Sequence, residues 1–280
     1  MNIFGVYVTN TIWTDSIFRW AGSKRKLLPI LINNVPNNYE RYIEPFCGSA
    51  CLFFAIKPMS AILSDINGEL IHTFEQIKNT PSLIAKTLSN ISVSKEIYDN
   101  YRQQKPTHLT DFERAIRFTY LNRNCFNGVY RTNQRGEFNV PMGTRTGEVP
   151  DEIRFIKCAE ALKNAKLISQ DFEKLLPDIQ KNDFVYLDPP YAKKDYKGRG
   201  EYGPGAFQYE DITRMLTFLE EVNHRGANFL FSYAYDEELI QQLPQSWYWE
   251  SVLVGRHVAG FSQHRKHVQE ILVSNYKIKI

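Results

Sequence analysis

The sequence predicts an α/β protein with an open sheet, interrupted by a helical segment. Short apolar runs alternate with longer segments of helical periodicity, which is the pattern of strands and helices in one sheet. Several of these runs end beside an acidic residue, as expected where strands present ligand-binding groups at their carboxyl ends. The spacing of the runs is uneven, which indicates an insertion.

Four strands are placed by an apolar run and by the acidic residue that follows it. Ligands of open α/β sheets collect outside the carboxyl ends of the strands, so we expect the four acidic side chains to share one site. After them, the pattern predicts a helix, a strand and a closing pair of strands over 248–254 and 268–276. The first four runs are Arg41–Glu44, Ala61–Ser64, Lys166–Ser169 and Phe184–Leu187. Their acidic residues are, in the same order, Glu44, Asp65, Asp171 and Asp188. The later helix is Asp211–Asn223, with Gly226 just beyond its end, and the strand after it is Asn228–Ser232.

The distance from Glu44 to Asp188 is 144 positions, whereas three α/β units need about 75 to 90 residues. We therefore predict an insert at residues 70–165, flanked by a main domain of residues 1–69 and 166–280. The insert is poor in strand signals and rich in helical periodicity, and a capping box begins one of its helices at Thr110. On that helix Phe112, Ala115, Ile116, Thr119 and Tyr120 form one face, and Arg114 and Arg117 lie off it.

Composition limits the class of protein. With 280 residues and 43% hydrophobic content the chain can bury one substantial core. Its net charge is only +3, so local basic clusters would have to hold a nucleic acid. The four cysteines lack paired spacing and are expected to be reduced, and no His/Cys cluster predicts a metal site. Without a signal peptide or a long apolar stretch, we expect a cytoplasmic protein that has no membrane partner.

The segment from Glu44 to Ala50 follows a strand and opens a helix predicted over Ser49–Ile56. Its sequence is Glu44-Pro45-Phe46-Cys47-Gly48-Ser49-Ala50, and its small residues let the backbone approach a ligand at the helix N-terminus. A plain strand-to-helix turn would explain this segment equally well. Asp65, which ends the next strand, can accept hydrogen bonds from both hydroxyls of a ribose. Together these features indicate an adenosine-type ligand.

The tetrapeptide Asp188-Pro189-Pro190-Tyr191 is the most specific signal in the chain. Two prolines directly after a buried strand cannot continue its ladder, so the backbone must turn outward. The Asp188 carboxylate and the Pro189 carbonyl can then accept both hydrogens of an exocyclic base amine, and no proline N–H competes. Tyr191 can stack on the base. By itself the tetrapeptide separates neither adenine from cytosine nor DNA from RNA.

The order of these motifs closely resembles the Dam-type DNA adenine-N6 methyltransferases (D12 class, alpha group). The resemblance rests on Phe18-Arg19-Trp20-Ala21-Gly22-Ser23-Lys24, Glu44 to Gly48, Asp65, Asp171-Phe172 and Asp188 to Tyr191, and it covers nearly the whole chain. It implies a Rossmann-like S-adenosyl-L-methionine-dependent methyltransferase sheet, with a mainly helical target-recognition domain that carries a β-hairpin inserted at residues 70–165. It also implies duplex DNA as substrate. We expect a monomer.

The resemblance assigns roles to the cofactor motifs. Trp20 and Lys24 would bind the methionine end of the cofactor, with Lys24 pairing its carboxylate. Without the resemblance, Trp20 would be read as a core or lid aromatic and Lys24 as a solvated charge. The implied catalytic residues are Asp188, Pro189, Pro190 and Tyr191, and the implied cofactor-binding residues are Trp20, Ala21, Gly22, Lys24, Glu44, Pro45, Phe46, Gly48, Asp65 for the ribose, Asp171 and Phe172 for the adenine, and Asp188.

The insert would then recognise DNA. Residues 127–141 predict a hairpin, since alternating side chains flank the turn-forming residues 134–136. This segment resembles the DNA-contacting hairpin of GATC methyltransferases, and Arg131 matches the arginine that reads a guanine edge. After Gly143 the chain has Thr144-Arg145-Thr146, where GATC enzymes often carry Arg-Tyr, but Arg19 keeps GATC as the expected target. The implied DNA-binding residues are Arg19, Phe126 and Asn127 in the gap left by a flipped adenine, Val129, Arg131, Asn133 and Pro141.

Two further segments are basic. Residues 193–205 are hypothesised to be a mobile loop over DNA, or a linker without a role, and residues 255–267 either touch phosphates or form a solvated hairpin tip.

Three other classes of function compete with this interpretation. A DNA-binding regulator without turnover is disfavoured by the intact tetrapeptide, Asp65 and Lys24, and an RNA or protein amine methyltransferase by the hairpin. A zinc deaminase would need the HxE and PCxxC motifs, which the sequence lacks. The sequence leaves open whether a cognate restriction enzyme exists.

Overall fold

A seven-stranded sheet forms the centre of the molecule in the described residues, which are 14–133, 135–191, 207–257 and 265–280 of a computed structural model. The strand order is β3-β2-β1-β4-β5-β7-β6. The strands are β1 (Tyr42–Glu44), β2 (Ala61–Asp65), β3 (Ala165–Ser169), β4 (Phe184–Leu187), β5 (Asn228–Ala234), β6 (Tyr248–His257) and β7 (Arg265–Ser274).

The first five strands are parallel, and β7 runs antiparallel to both β5 and β6. All predicted strands are therefore confirmed, with shifts of a few residues at their ends. The chain order reverses between β1 and β4, because β1 pairs with β2 on one side and with β4 on the other. Such a reversal opens a crevice outside the carboxyl ends of the strands, which is where doubly wound sheets bind ligands.

Two apolar clusters cover the two faces of the sheet. Adjacent residues of one strand belong to opposite clusters, as the pleat of a strand requires: Tyr42 packs in one and Ile43 in the other. The central strands β1 and β4 are buried on both faces, which explains why they appear in the sequence as continuous apolar runs. The cluster that contains Tyr42 continues into the helices between β2 and β3, so the main domain and the predicted insert share one core.

Between β2 and β3 the described chain is mainly helical. The first helix, α3, begins at Gly68, shortly before the predicted boundary of the insert, and packs against β2 and β3 as well as against α6 and α7. The helices before the insert are α1 (Leu28–Asn33) and α2 (Cys51–Ile56), those between β2 and β3 are α3 (Gly68–Asn79), α4 (Pro81–Ser89), α5 (Lys95–Gln103), α6 (Asp111–Asn124) and α7 (Glu152–Leu162), and those after β4 are α8 (Asp211–His224) and α9 (Glu237–Gln242).

Helix α6 confirms one prediction and corrects another. Its capping box is present: the Thr110 hydroxyl accepts from the Glu113 N–H, and the Glu113 carboxylate accepts from the Thr110 N–H. Arg117 lies off the predicted apolar face, but the expectation that such a position is solvent-exposed is wrong, since it is only 3% exposed. Its guanidinium donates to the backbone carbonyls of Tyr101 and Arg102. Because α6 is buried on nearly all sides, the Arg117 guanidinium cannot be satisfied by water, and these two carbonyls accept the hydrogen bonds that it needs.

Two further expectations concern the chain as a whole. The four cysteines are free and buried, as predicted. Among the described residues, no helix is long and apolar enough to cross a membrane. The predicted loop 193–205 lies outside the described residues, as does 258–264 of the predicted basic segment.

Candidate active site

Three of the four predicted acidic residues meet at the reversal of strand order. Glu44 ends β1, Asp65 ends β2, and Asp188 follows β4, so their strands are neighbours in the sheet. Burial raises the pKa of Glu44 well above its ordinary value, and the negative charges of Asp188 and Asp65 raise it further. The fourth residue, Asp171, follows the outer strand β3 and pairs with an arginine instead. The single shared site predicted from sequence thus comprises three of the four carboxylates, with Asp171 at its margin.

Gly48 is the tightest point of the turn between β1 and α2. Its φ of +45° lies in the left-handed region, and a Cβ atom there would come within 2.6 Å of Nε1 of Trp20. Only glycine therefore fits under the Trp20 ring. Ala50 also has a positive φ, +50°, at the start of α2. A non-glycine residue in this conformation costs about 1 to 2 kcal/mol, which indicates a turn held in place by its surroundings.

Asp65 fixes this turn from the neighbouring strand. One carboxylate oxygen accepts from the Gly48 N–H at 3.0 Å and the other from the Asn67 N–H at 2.9 Å. Burial raises the pKa of Asp65 to about 6, although the two backbone N–H groups oppose the shift. Each oxygen retains a lone pair, so the carboxylate can still accept hydrogen bonds from a bound molecule.

Asp171 and Phe172 lie at the β3 side of the crevice and are ordered by Arg214 of α8. Nη2 of Arg214 is 2.8 Å from Asp171, and its guanidinium carbon lies 4.9 Å from the centre of the Phe172 ring. The Phe172 ring also packs against Phe46, with ring centres 5.3 Å apart. Sequence reasoning missed Arg214, because nothing in α8 marks one arginine as the partner of a residue about 40 positions earlier.

Asp188 is held on one oxygen by two groups. Its Oδ1 lies 2.7 Å from Nζ of Lys24 and accepts from the Ser232 hydroxyl at 3.2 Å. Burial raises the pKa of Asp188, and the Lys24 ammonium opposes this shift. The Tyr191 ring packs edge-on against Tyr233 at 5.2 Å, and Nζ of Lys24 lies 4.7 Å from the Tyr191 ring centre. Acid, ammonium and aromatic ring are therefore in contact with one another.

Lys24 is buried, with 6% of its side chain exposed. Read without the family resemblance, this residue would be a solvated surface charge, and that reading is wrong. Besides Asp188, its Nζ lies near Glu270 of β7, at 3.8 Å, and donates to the Gly22 carbonyl at 3.2 Å. An ammonium removed from water needs such partners, since an isolated buried charge is costly.

Glu270 is the second residue that sequence reasoning missed. It is 2% exposed and lies in β7 opposite Ala234 of β5. A signal was present: Glu270 directly precedes the buried apolar run Ile271–Val273 of β7, and a buried charged residue needs a partner. The same applies to Ser232 in β5, whose hydroxyl contacts both Asp188 and Tyr186.

The predicted hairpin segment folds back on itself through isolated bridges. In the described residues, Cys125 bridges Met142 and Thr132 bridges Phe138, without a continuous two-stranded ladder between them. Arg131 donates from Nε to the Asn139 side chain at 2.9 Å. The remaining predicted DNA-binding residues here are Phe126, which is 47% exposed, Asn127 with φ +54°, the half-buried Val129, Asn133, whose amide donates to Glu137, and the exposed Pro141.

Arg19 ties this segment to the main domain. Its Nη1 donates to the carbonyls of Arg123, Cys125 and Arg145 at 2.9, 3.4 and 3.3 Å. The next residue, Trp20, stacks on Tyr130 with ring centres 6.4 Å apart and 13° between the planes. Residues 19 and 20 therefore contact the 125–147 segment on one side and the Gly48 turn on the other.

The fold and these contacts define an α/β protein whose ligand crevice lies at the topological switch point of its sheet. The family model of the D12 class N6 adenine-specific DNA methyltransferases matches residues 20–259. This chain belongs to that family and is a DNA adenine methyltransferase. The family implies a methyl donor and a DNA substrate.

Curated relatives match over nearly their whole length. A Type II methyltransferase of Lactococcus lactis subsp. cremoris, M1.LlaDCHI, is 32% identical over 268 residues, covering 92% of this chain and 94% of the relative. Another, M.MjaIII of Methanocaldococcus jannaschii, is 30% identical over 92% of this chain and 98% of its own. The DNA adenine methylase of Escherichia coli strain K12 is 29% identical over 92% and 94%. A solved precorrin 8w decarboxylase covers 89% of this chain and 88% of its own at TM-score 0.38 and 9% identity, too low to bear on function.

Among the described residues no group of three or more His, Cys, Asp or Glu side chains could hold a metal ion.

Proposed function

We propose that this enzyme transfers a methyl group from S-adenosyl-L-methionine to N6 of an adenine in duplex DNA, within GATC, and that the adenine is turned out of the helix for the reaction. The observation that carries the proposal is the place of Asp188-Pro189-Pro190-Tyr191. It follows β4 at the switch point, with Asp188 in contact with Lys24 and next to the strand that leads into the Gly48 turn.

The residues at the switch point fit S-adenosyl-L-methionine. Gly48 allows the Trp20 ring to pack directly on the turn between β1 and α2, Asp65 presents a buried acceptor, and Lys24 presents a buried cation. Asp65 would accept from the ribose hydroxyls, and Lys24 would form an ion pair with the carboxylate through its positive charge, since its N–H groups already face Asp188, Gly22 and Glu270. The cofactor supplies an activated methyl group on a sulfonium. The other residues proposed to hold it are Trp20, Ala21, Gly22, Glu44, Pro45, Phe46, and, beside the adenine ring, Asp171 and Phe172.

At the target amine, Asp188 and the Pro189 carbonyl would accept the two N6 hydrogens. This interaction draws the two hydrogens out of the ring plane, so the nitrogen lone pair is less delocalised into the ring and N6 becomes nucleophilic. Because Lys24 and Ser232 both contact Oδ1 of Asp188, the second carboxylate oxygen is the one we assign to the amine. A methylated N6 must lose one proton, and the same oxygen can take it. Tyr191 would stack on the base and Pro190 would keep the turn rigid.

The 125–147 segment would recognise DNA. Arg131 would read a guanine edge, and Val129 and Pro141 would lie beside neighbouring bases. Phe126 and Asn127 would fill the gap left by the flipped adenine, which fits the exposure of Phe126 and the left-handed backbone of Asn127. Arg19 and Asn133 would support this surface. Arg19 donates a hydrogen bond to the Cys125 carbonyl, and Asn133 donates one to the Glu137 carboxylate within the segment. We accordingly assign residues 70–165 to target recognition, and residues 1–69 and 166–280 to catalysis.

The test of this proposal combines one variant with a map of methylation. Expressed in a host that lacks DNA methylation, the wild-type enzyme should place N6-methyladenine in GATC, as read by single-molecule sequencing. Asp188→Ala should abolish the modification while purified protein still binds duplex DNA, because the change removes the acceptor and leaves the recognition surface intact. Asp178→Asn, a half-exposed carboxylate outside the site, is the control and should methylate normally. Near-normal methylation by Asp188→Ala would refute the role of Asp188, and another target sequence would refute GATC.

A further inference from the structure

Glu270 lies outside the residues that the family model matches, yet it faces the centre of the site. Its β7 strand is the neighbour of β5, and its carboxylate reaches across to Lys24, with Oε2 3.8 Å from Nζ. The side chain is 2% exposed. A carboxylate at this depth must be stabilised by a positive charge or by hydrogen bonds to remain ionised.

The Lys24 ammonium has three N–H donors, and three acceptors surround it in the part of the chain that the structure describes. They are Oδ1 of Asp188 at 2.7 Å, the Gly22 carbonyl at 3.2 Å, and Oε2 of Glu270 at 3.8 Å. The first two are within hydrogen-bonding distance, whereas the third distance is that of an ion pair. The position of Nζ therefore reflects a balance between two carboxylates: Asp188, which follows β4, and Glu270, which lies on β7.

We propose that Glu270 is a positioning residue: it draws the Lys24 ammonium to its own side, so that Lys24 occupies one oxygen of Asp188 and the other stays available to the target amine. If Glu270 lost its charge, the third N–H of Lys24 would turn toward the remaining oxygen of Asp188. Lys24 would then compete with the substrate for the acceptor. This inference rests on the role proposed above for Asp188.

Glu270 also acts on the charge of Asp188. The groups that face Asp188 are Lys24, Glu270 of β7, Ser232 of β5, and Glu44 and Tyr186 of the central strands. Burial is the largest influence and raises the pKa of Asp188, Lys24 lowers it, and the negative charge of Glu270 raises it. A carboxylate with a raised pKa is a better hydrogen-bond acceptor and base. Removal of the Glu270 charge should lower the pKa of Asp188.

The deciding experiment compares Glu270→Gln with Glu250→Gln. Glu250 lies on β6, is exposed, and is the matched control. For Glu270→Gln we expect kcat to fall about ten- to a hundredfold. This is the range for the loss of one hydrogen bond to a charged group, here the bond between the target amine and Asp188. The acid limb of the kcat profile should move to lower pH, because Asp188 then ionises at lower pH. The KM for S-adenosylmethionine and the Kd for DNA should change less than about threefold. A merely structural role would lower the melting temperature without moving the acid limb.

Glu270→Asp provides the second measurement, and decides if the glutamine variant does not fold. It keeps the charge but withdraws it by one methylene, so the acid limb should stay in place while kcat falls several-fold. Wild-type kcat in the aspartate variant, or an unmoved acid limb in Glu270→Gln, would overturn the inference. Asp188→Asn measured in parallel separates the two proposals. If it is inactive, the role of Asp188 stands whatever Glu270 does, whereas an Asp188→Asn variant with near-normal activity refutes the role proposed for the Asp188 carboxylate.

Discussion

The strand-end site and the 125–147 segment use polar side chains in opposite ways. At the strand-end site, which comprises Lys24, Gly48, Asp65 and Asp188, charges are buried: Lys24 pairs with Asp188, and Asp65 accepts from backbone N–H groups. In the 125–147 segment, polar side chains bond to backbone carbonyls or to each other at the surface, as Arg131 does with Asn139.

This difference has consequences for substitution. A buried charge pair is costly to break because the remaining partner is left without compensation in a low-dielectric environment. A surface hydrogen bond can be replaced by water at little cost. We therefore expect changes in the strand-end site to abolish chemistry or cofactor binding, and changes in the 125–147 segment to redistribute target preference.

Among the substitutions that compare the two regions, Lys24→Met is expected to have the largest effect. It keeps the length of the side chain but removes the ammonium that pairs with Asp188 and Glu270. Breaking a buried ion pair in this way lowers folding stability by about 3 to 5 kcal/mol. We expect kcat/KM to fall about a hundred- to a thousandfold, with DNA binding retained. Steady-state methylation of a GATC duplex and a DNA-binding titration measure the two quantities. Activity within tenfold of wild type would show that the pair is less important than its geometry indicates.

Arg131→Ala tests the other region. If Arg131 reads a guanine, its loss should reduce discrimination against a substituted base by about 1 to 3 kcal/mol, or about 5- to 150-fold. Turnover on the best substrate should change less. Methylation rates are compared on duplexes that carry single-base changes in GATC. Arg135→Ala, at the exposed tip of the same segment, is the matched control and should lower rates uniformly, if at all. Unchanged discrimination in Arg131→Ala would assign recognition to other residues.

The pH dependence of cofactor binding isolates Asp65. The pKa of Asp65 is raised to about 6, so the carboxylate is mostly ionised at pH 7 and mostly protonated at pH 5. Hydroxyl donors prefer the ionised form, and binding should therefore strengthen as the pH rises. Between pH 7 and pH 5 the Kd for S-adenosylmethionine should increase about tenfold, as measured by calorimetry. Asp65→Asn should bind weakly and without this dependence. A pH-independent Kd in the wild-type enzyme would remove Asp65 from the cofactor site.

A pair of glycine substitutions gives the smallest effects and compares the two regions directly. Gly48 and Gly136 both have positive φ, +45° and +76°, so alanine strains either backbone by about 1 kcal/mol. Only Gly48 has a neighbour, the Trp20 ring, within 4 Å of the new methyl group. We expect Gly48→Ala to lower the melting temperature further than Gly136→Ala and to weaken cofactor binding several-fold. Equal effects of the two substitutions on both measurements would contradict the proposed role of the Gly48 turn in cofactor binding.

Much of the fold was predictable because local signals coincide with it. Buried parallel strands appear as apolar runs whose acidic ends mark the ligand edge, and the Thr110 capping box places the start of α6. The burial and the partners of individual polar side chains were less predictable. Arg117 was placed off the buried face and is buried, and Lys24, by itself, looked like a surface lysine. Helical periodicity shows which side of one helix is apolar, but not how many neighbours surround that helix.

The sequence by itself determined the α/β class, the order of the motifs and, through the tetrapeptide and its surroundings, the family. These depend on residues close together in the chain, whose chemistry and spacing can be recognised without coordinates. Only the tertiary structure decided which charges meet. Asp188 and Glu270 are separated by a long stretch of chain and come close because the sheet places β4, β5 and β7 side by side, and the segment before α1 brings Lys24 to both of them. A buried ion pair depends on distance in space, and for these residues sheet order sets that distance.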